Sequence, residues 1–169
     1  SGLLNPQIGG KSVFPPQPKG ASKLGQIQRE WEADTGPNRY RRGMYTHFWR
    51  SAPDPNLMVF DAPDSTVTCT RRLRSNTPLQ ALTLLNDEGF FEMAGALAKR
   101  MKDEAADDEA RLRHGFRLCL SREPKGVELD RLRRFLKQQR DAQTPPNEDV
   151  AWLQVARVLM NLDEFITRE

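Results

Sequence analysis

The sequence predicts a mainly α-helical fold, with about five helices packed around a buried C-terminal helix and a long irregular N-terminal arm rich in proline and glycine. Apolar residues recur at helical spacing from residue 77 onward. Nine of the twelve prolines and seven of the eleven glycines lie instead in residues 1–80. The segment 148–163 is apolar around most of its circumference, which is typical of a buried helix. We therefore expect one domain, in which an extended arm, 1–76, packs on a helical core, 77–169.

The arm shows no sustained helical or strand period. In residues 1–38 a Gly-Gly pair and a Pro-Pro pair interrupt any pattern. Its apolar residues are too many for a free linker, so we expect this segment to lie along the surface of the rest. A short helical turn around 22–32 is compatible with its sequence. Within residues 39–76, the stretch VFDAPDSTV has strand-like ends around an Asp-Ala-Pro-Asp turn.

The helical core begins with a clear start signal. Thr77 can cap a helix, Pro78 suits the first helical position, and Gln80 can close a capping box. This helix is expected to run to about Leu85, where Asn86-Asp87 restarts the chain. Apolar spacing and helix breakers predict the other four helices: about 88–103, one starting after Asp107-Asp108 and ended by Arg122-Glu123-Pro124, about 127–141, and about 148–163.

Composition indicates a soluble globular chain on the polar side, with 37% hydrophobic and 29% charged residues. No apolar run approaches the roughly 18 residues that a membrane span needs. The absence of a start methionine predicts a processed chain or a fragment. The net charge of +3 is unevenly distributed, because residues 1–80 hold 11 Lys and Arg against 6 Asp and Glu. An anionic partner is therefore to be sought in the N-terminal half.

The two cysteines and two histidines show no zinc-binding spacing, and no C-x-x-C-H motif could attach a c-type haem. We expect no metal and no cofactor in this chain. Cys69 and Cys119 allow a disulfide in an oxidising compartment, and two small buried thiols are an equal alternative.

The arginine-rich segment, residues 71–77, is the first candidate site. A helix N-terminus beside guanidinium groups suits phosphate, sulfate or carboxylate. The structural alternative, which we favour, has Thr77 and Gln80 satisfying the helix N–H groups while the arginines pair with Asp61, Asp64 or carbonyl groups. The residues of the candidate anion site are Arg71, Arg72, Arg74, Ser75, Asn76 and Thr77.

The stretch RYRRGMYTHFWR, residues 39–50, is the second candidate. Arginines interleaved with aromatic rings can stack bases or sugars. We favour the alternative that Phe48 and Trp49 are buried and fix an irregular segment while the arginines extend outward. The residues of the candidate surface are Arg41, Arg42, Tyr45 and Trp49.

Two further motifs invite functional interpretations that the sequence supports poorly. Asp61 and Asp64 in FDAPD could form an acid–base pair, but no Ser or His nearby lies in a nucleophile motif. Turns and Asp–Arg bridges are commoner than catalytic pairs, so we assign no catalytic residue. A helix-turn-helix around SREPKG is equally weak, because that half is acidic, and nucleic acid is not the expected partner.

Five motifs together resemble the C-terminal domain of unknown function of large planctomycete-type cytochrome-c-domain proteins. They are YRRGMYTHFWR, FDAPD, CTRRLRSNTPLQALTLLND, SREP and NLDEFITRE. The resemblance runs from the SGLLNPQIGG start to Glu169, and its most specific strings are SNTPLQAL and NLDEF. Relatives often begin the second helix with Asp-Pro, whereas Glu88 follows Asp87 here, which affects only that helix boundary.

The resemblance implies a larger, extracytoplasmic parent protein with a c-type haem in an upstream domain. It supplies no reaction. The leading hypothesis is a non-enzymatic module that packs on the upstream domains of its parent as a scaffold or interface. The alternatives are an anion-binding module for sulfated or acidic polysaccharide, and one wall of an active site shared with the preceding domain.

Overall fold

A computed structural model describes residues 1–23, 30–63, 65–72 and 74–167. Within them the chain is mainly helical, as the sequence predicts, and its β-pairing consists of isolated bridges. No helix among the described residues is long and apolar enough to cross a membrane. The helices are α1 (Pro55–Val59), α2 (Pro78–Asn86), α3 (Glu88–Asp103), α4 (Asp108–Leu120), α5 (Gly126–Asp141), α6 (Glu148–Met160) and α7 (Asp163–Ile166), with 3-10 turns at Ala21–Lys23, Gly36–Tyr40 and Gly43–Tyr45.

Contacts group the chain into two compact units. The N-terminal unit is Leu3–Phe90, and the C-terminal unit is Phe91–Glu169 together with Ser1–Gly2. The interpretation of 1–76 and 77–169 as arm and core of one domain stays a prediction. Most of the turn expected around 22–32 lies outside the described residues.

In the N-terminal unit the irregular arm is held by backbone pairing with a second irregular segment. Parallel bridges join Asn5 to Arg41 and Val13 to Thr46. Val13 N donates to the Tyr45 carbonyl at 2.8 Å, and His47 N donates to the Val13 carbonyl at 2.8 Å. Since buried backbone groups need partners, these bonds allow Val13 to be buried without a sheet.

Four rings form a cluster beside this bridge. The Phe14 ring stacks on His47 with centroids 4.8 Å apart, and Trp31 and Trp49 meet edge to face at 6.2 Å. The expectation that Phe48 is buried is wrong, because its side chain is exposed. In extended backbone, neighbouring side chains point to opposite sides. His47 and Trp49 therefore share the cluster while Phe48 faces solvent.

The strand-like ends expected in VFDAPDSTV are also not found, because Val59 closes a short helix. Asp54 caps α1 by accepting from the backbone N–H groups of Asn56 and Leu57, and Pro55 takes the first helical position. Asp61 then adopts a left-handed conformation, φ 57°, and ends the helical path. The Asp-Pro pair is a helix start signal of the same kind as Thr77-Pro78.

The C-terminal unit follows the predicted helix bounds closely up to Met160. Helix α6 packs against α4, α5 and α7, so the expected central role is confirmed for these neighbours and stays a prediction for the helices at 77–85 and 88–103. Val150 in its first turn is exposed, so burial covers a wide face of α6 but not its whole circumference. The fully or almost fully buried side chains of this unit include Leu97, Met101, Leu112, Phe116, Trp152, Val155 and Leu159.

Arg122 joins two motifs that are far apart in the sequence. Its guanidinium donates to both carboxylate oxygens of Glu128 at 2.8 and 2.9 Å and to both of Glu164 at 2.6 and 2.7 Å. It also lies 4.8 Å from the centre of the Phe116 ring. The hydrogen bonds from Arg122 lower the pKa of Glu128 to about 2. SREP and NLDEF therefore meet at one bidentate ion-pair cluster, and their role here is architectural.

Both cysteines are free. Cys119 is buried, and burial raises the pKa of its thiol to about 11. The alternative of two buried thiols is half right, since Cys69 is exposed.

Candidate functional site

The SNTPLQ part of the arginine-rich segment is tied to the turn after α1. The backbone N–H of Ser75 donates to Asp61 Oδ2 at 2.9 Å, and the Ser75 hydroxyl donates to the same oxygen at 2.7 Å. Asp61 Oδ2 therefore accepts two hydrogen bonds from Ser75, and the pairing of the arginines with this carboxylate stays a prediction. Asp64 lies outside the described residues.

Gln80 completes this connection from inside α2. Its side chain is 1% exposed. Its amide nitrogen donates to the Val59 carbonyl at 2.9 Å and to the Ser75 hydroxyl at 2.9 Å. Its amide oxygen accepts from Thr77 N at 3.0 Å, and Thr77 Oγ1 accepts from Gln80 N at 3.3 Å. The predicted capping box is confirmed, and the same glutamine also fixes the end of α1.

The three arginines of the segment are exposed. Arg72 donates from Nε to the Asp61 carbonyl at 3.3 Å and from Nη2 to the Phe60 carbonyl at 3.4 Å, as the carbonyl alternative predicts. Arg71 makes no hydrogen bond or ion pair with the part of the chain that the structure describes. Asn76 is exposed, and Ser75 and Thr77 are partly buried. An anion here would meet exposed guanidinium groups beside a helix end whose cap is already formed.

The second candidate surface does not present its residues together. The Arg41 guanidinium lies 4.1 Å from the centre of the Tyr45 ring and donates to the carbonyls of Gln7 at 2.9 Å and Gly9 at 2.7 Å. The Tyr45 hydroxyl accepts from Gly9 N at 2.9 Å. Trp49 belongs to the ring cluster, and Arg42 is exposed. Arg41 and Tyr45 thus hold the arm in place.

Exposed apolar side chains lie on both α1 and α2, a feature that was not predicted from the sequence. Met58, Leu79 and Leu82 are 47%, 58% and 56% exposed, and α1 packs against α2. Leu79 and Leu82 lie three residues apart on one side of α2, whereas the buried Gln80 and Leu84 lie on another. The sequence contained a signal for this exposure. Leucines at 79, 82, 84 and 85 cannot all lie on one narrow side of a helix, so some of them must face away from the buried side.

Among the described residues, no three His, Cys, Asp or Glu side chains come together in a group that could hold a metal ion. No curated protein and no solved structure matches the chain. A family model matches residues 1–136, which is most of the sequence. The chain therefore belongs to the PSD1 family, described as a protein of unknown function, DUF1553.

Proposed function

We propose that this chain is a non-enzymatic helical module of a larger exported protein, and that the exposed apolar face of α1 and α2 docks on an upstream domain of that protein. The observation that carries the proposal is the exposure of Leu79, Leu82 and Met58 on neighbouring helices. Exposed apolar side chains grouped on a protein surface are typical of interaction sites.

The hydrogen bonds beneath this face support a docking role. Gln80 and Ser75 join α2 to the end of α1 through their side chains. The most specific motif of the chain is thus used inside the module, where it holds two helices in a fixed arrangement. A binding surface that is already ordered before the partner arrives loses little conformational entropy on binding, which favours affinity.

The parent protein supplies the partner in this proposal. By its resemblance to planctomycete-type cytochrome-c-domain proteins, the chain would follow upstream domains, one of them carrying c-type haem, outside the cytoplasm. We assign no reaction to the chain. Asp61, the described member of the carboxylate pair, accepts from Ser75 and serves the local structure.

The docking face is tested with the double variant Leu79→Glu/Leu82→Glu. Each leucine would contribute about 1.5–3 kcal/mol when fully buried at an interface, so the double variant is expected to weaken binding by about a hundredfold or more. Isothermal titration calorimetry of the chain against the separately produced upstream part of its parent measures this affinity.

The matched control is Val127→Glu/Val150→Glu, which adds the same charges at exposed valines of the C-terminal unit. Circular dichroism checks that both variants keep their helices. Equal affinity for the wild type and the leucine variant, or an equal loss in both variants, would rule out this face as the docking site.

A second candidate function, binding of sulfated or acidic polysaccharide, is favoured by one observation. Arg71, Arg72 and Arg74 are exposed within four positions of each other. Guanidinium forks bind sulfate and carboxylate groups in bidentate fashion. The anion would be held by the arginines rather than by the helix N-terminus, because Thr77 already caps α2.

This candidate predicts that heparin, used as the probe, binds at low ionic strength and that Arg71→Ala/Arg74→Ala weakens binding by about tenfold or more. Arg131→Ala/Arg134→Ala is the matched control, since it removes the same charge from exposed positions on α5. Fluorescence titration with labelled heparin gives both affinities. No binding at low salt, or equal weakening in the two variants, contradicts a specific site.

A further inference from the structure

Asp54 is a charged residue in a buried position. Its side chain is 3% exposed. One oxygen, Oδ1, accepts from the backbone N–H groups of Asn56 at 2.9 Å and Leu57 at 3.1 Å. The other oxygen, Oδ2, is buried and has no hydrogen-bond partner. A buried carboxylate oxygen without a donor is energetically unfavourable, so this atom calls for a physical explanation.

A second buried carboxylate, Asp87, lies at the start of α3 and is 6% exposed. Its Oδ1 accepts from the backbone N–H groups of Gly89 at 2.9 Å and Phe90 at 3.3 Å. Its Oδ2 accepts from Asn56 Nδ2 at 3.2 Å. Asn56 therefore connects the two caps, since its backbone binds one carboxylate and its side chain the other.

We propose that Asp54 carries a proton on its buried, unpartnered Oδ2 in the folded N-terminal unit, and that this neutral carboxyl group makes the junction of α1 with Asp87 a pH-sensitive clamp. The hydrogen bonds decide which carboxylate holds the proton. Both oxygens of Asp87 already accept from N–H donors, whereas Asp54 Oδ2 accepts from none. A proton on that oxygen removes the buried charge.

The electrostatic surroundings favour the neutral form. Burial is the largest cause that raises the pKa of Asp54; the hydrogen bonds from Leu57 and Asn56 lower it, and the charge of Asp87 raises it. Like charges in a low-dielectric site disfavour double ionisation.

The elements packed on α1 place other ionisable groups at its margins. Helix α2 has none. Glu88 in the first turn of α3 is paired with Arg39. Arg42 is exposed. It directly precedes Gly43, which lies against the side chain of Leu57 in α1. His47 lies in the ring cluster, and at the far end of α1 Asp61 is occupied by Ser75.

The sign of the pH effect follows from the raised pKa. Above the ordinary value of 3.8, unfolded chains lose the Asp54 proton while the folded unit keeps it. The folded state then binds more protons, so its stability falls as pH rises from that value through the folded-state pKa. Deprotonation would place a charge in this buried site and so destabilise the N-terminal end of α1. Because Gln80 donates to the Val59 carbonyl at the other end of α1, the change would also affect the contact with α2.

The test is a titration of the side-chain carboxyl ¹³C resonances in the intact chain, with the Asp54 signal assigned by its absence in Asp54→Asn. The expected midpoint for Asp54 lies clearly above the ordinary aspartate value of 3.8. A midpoint for Asp54 at or below that value overturns the proposal. So does a raised midpoint that belongs to Asp87.

Amide hydrogen exchange provides the second measurement, corrected for intrinsic rates. Asp54→Asn keeps the capping oxygen and places an N–H donor where the orphan oxygen lies. We expect protection of the Asn56 and Leu57 amides to fall with rising pH in the wild type and to vary much less in this variant. An exposed-site variant, Asp130→Asn, should behave as the wild type. The same pH dependence in the wild type and Asp54→Asn contradicts the clamp.

Discussion

Replacing Gln80 with leucine is expected to lower the free energy of unfolding of the N-terminal unit by about 2–4 kcal/mol, because it leaves several buried polar groups without partners. The Val59 carbonyl loses its donor, Thr77 N loses its acceptor, and the Ser75 hydroxyl loses one bond. Leucine has a similar volume, so the loss reports the hydrogen bonds more than a cavity.

Native-state hydrogen exchange measured by mass spectrometry separates this effect by region. Peptides covering α1 and α2 should lose protection in Gln80→Leu, since both helices depend on the glutamine. Gln138→Leu, at an exposed position of α5, controls for the change in polarity. A loss below about 1 kcal/mol would mean that the network is not needed to hold α1 on α2.

Replacing Trp152 with alanine is expected to destabilise the C-terminal unit by about 3–5 kcal/mol, the usual range for removing a buried large aromatic side chain. Trp152 is fully buried on α6, the helix that packs against α4, α5 and α7. Its indole Nε1 has no hydrogen-bond partner in the described structure. The loss therefore comes from packing and the cavity left behind, not from a broken hydrogen bond.

Urea unfolding followed by circular dichroism, with hydrogen exchange of α4, α5 and α6, measures the change. Val150→Ala on the same helix is the control, because Val150 is exposed and its truncation should cost little. A similar effect of the two substitutions would show that α6 is not the centre of this unit.

Helix positions were predictable because their signals are local. Thr77, Pro78 and Gln80 predict the start of α2 within four residues, and the structure has the capping box that they predict. The 88–103 helix has the bounds Glu88–Asp103. Helix α1 was missed although Asp54-Pro55 is a start signal, because five residues are too few to show an apolar period.

The candidate site was less predictable because its contacts join distant residues. Ser75 binds Asp61 across 14 positions, and Gln80 reaches Val59 across 21. The sequence indicated that arginines and aspartates were present in this region. It offered carbonyl groups as partners of the arginines, which Arg72 confirms, but it did not indicate that Ser75 would donate to the Asp61 carboxylate.

By itself the sequence determined the helical class, the starts of α2 to α6 and the uneven charge, since caps, breakers and periodicity act within a few residues of one another. Only the tertiary structure decided which leucines of α2 are exposed, which oxygen of Asp54 lacks a donor, and how Arg122 joins Glu128 to Glu164. Burial and hydrogen-bond partners depend on segments far apart in the chain, and a local pattern does not specify which of them will meet.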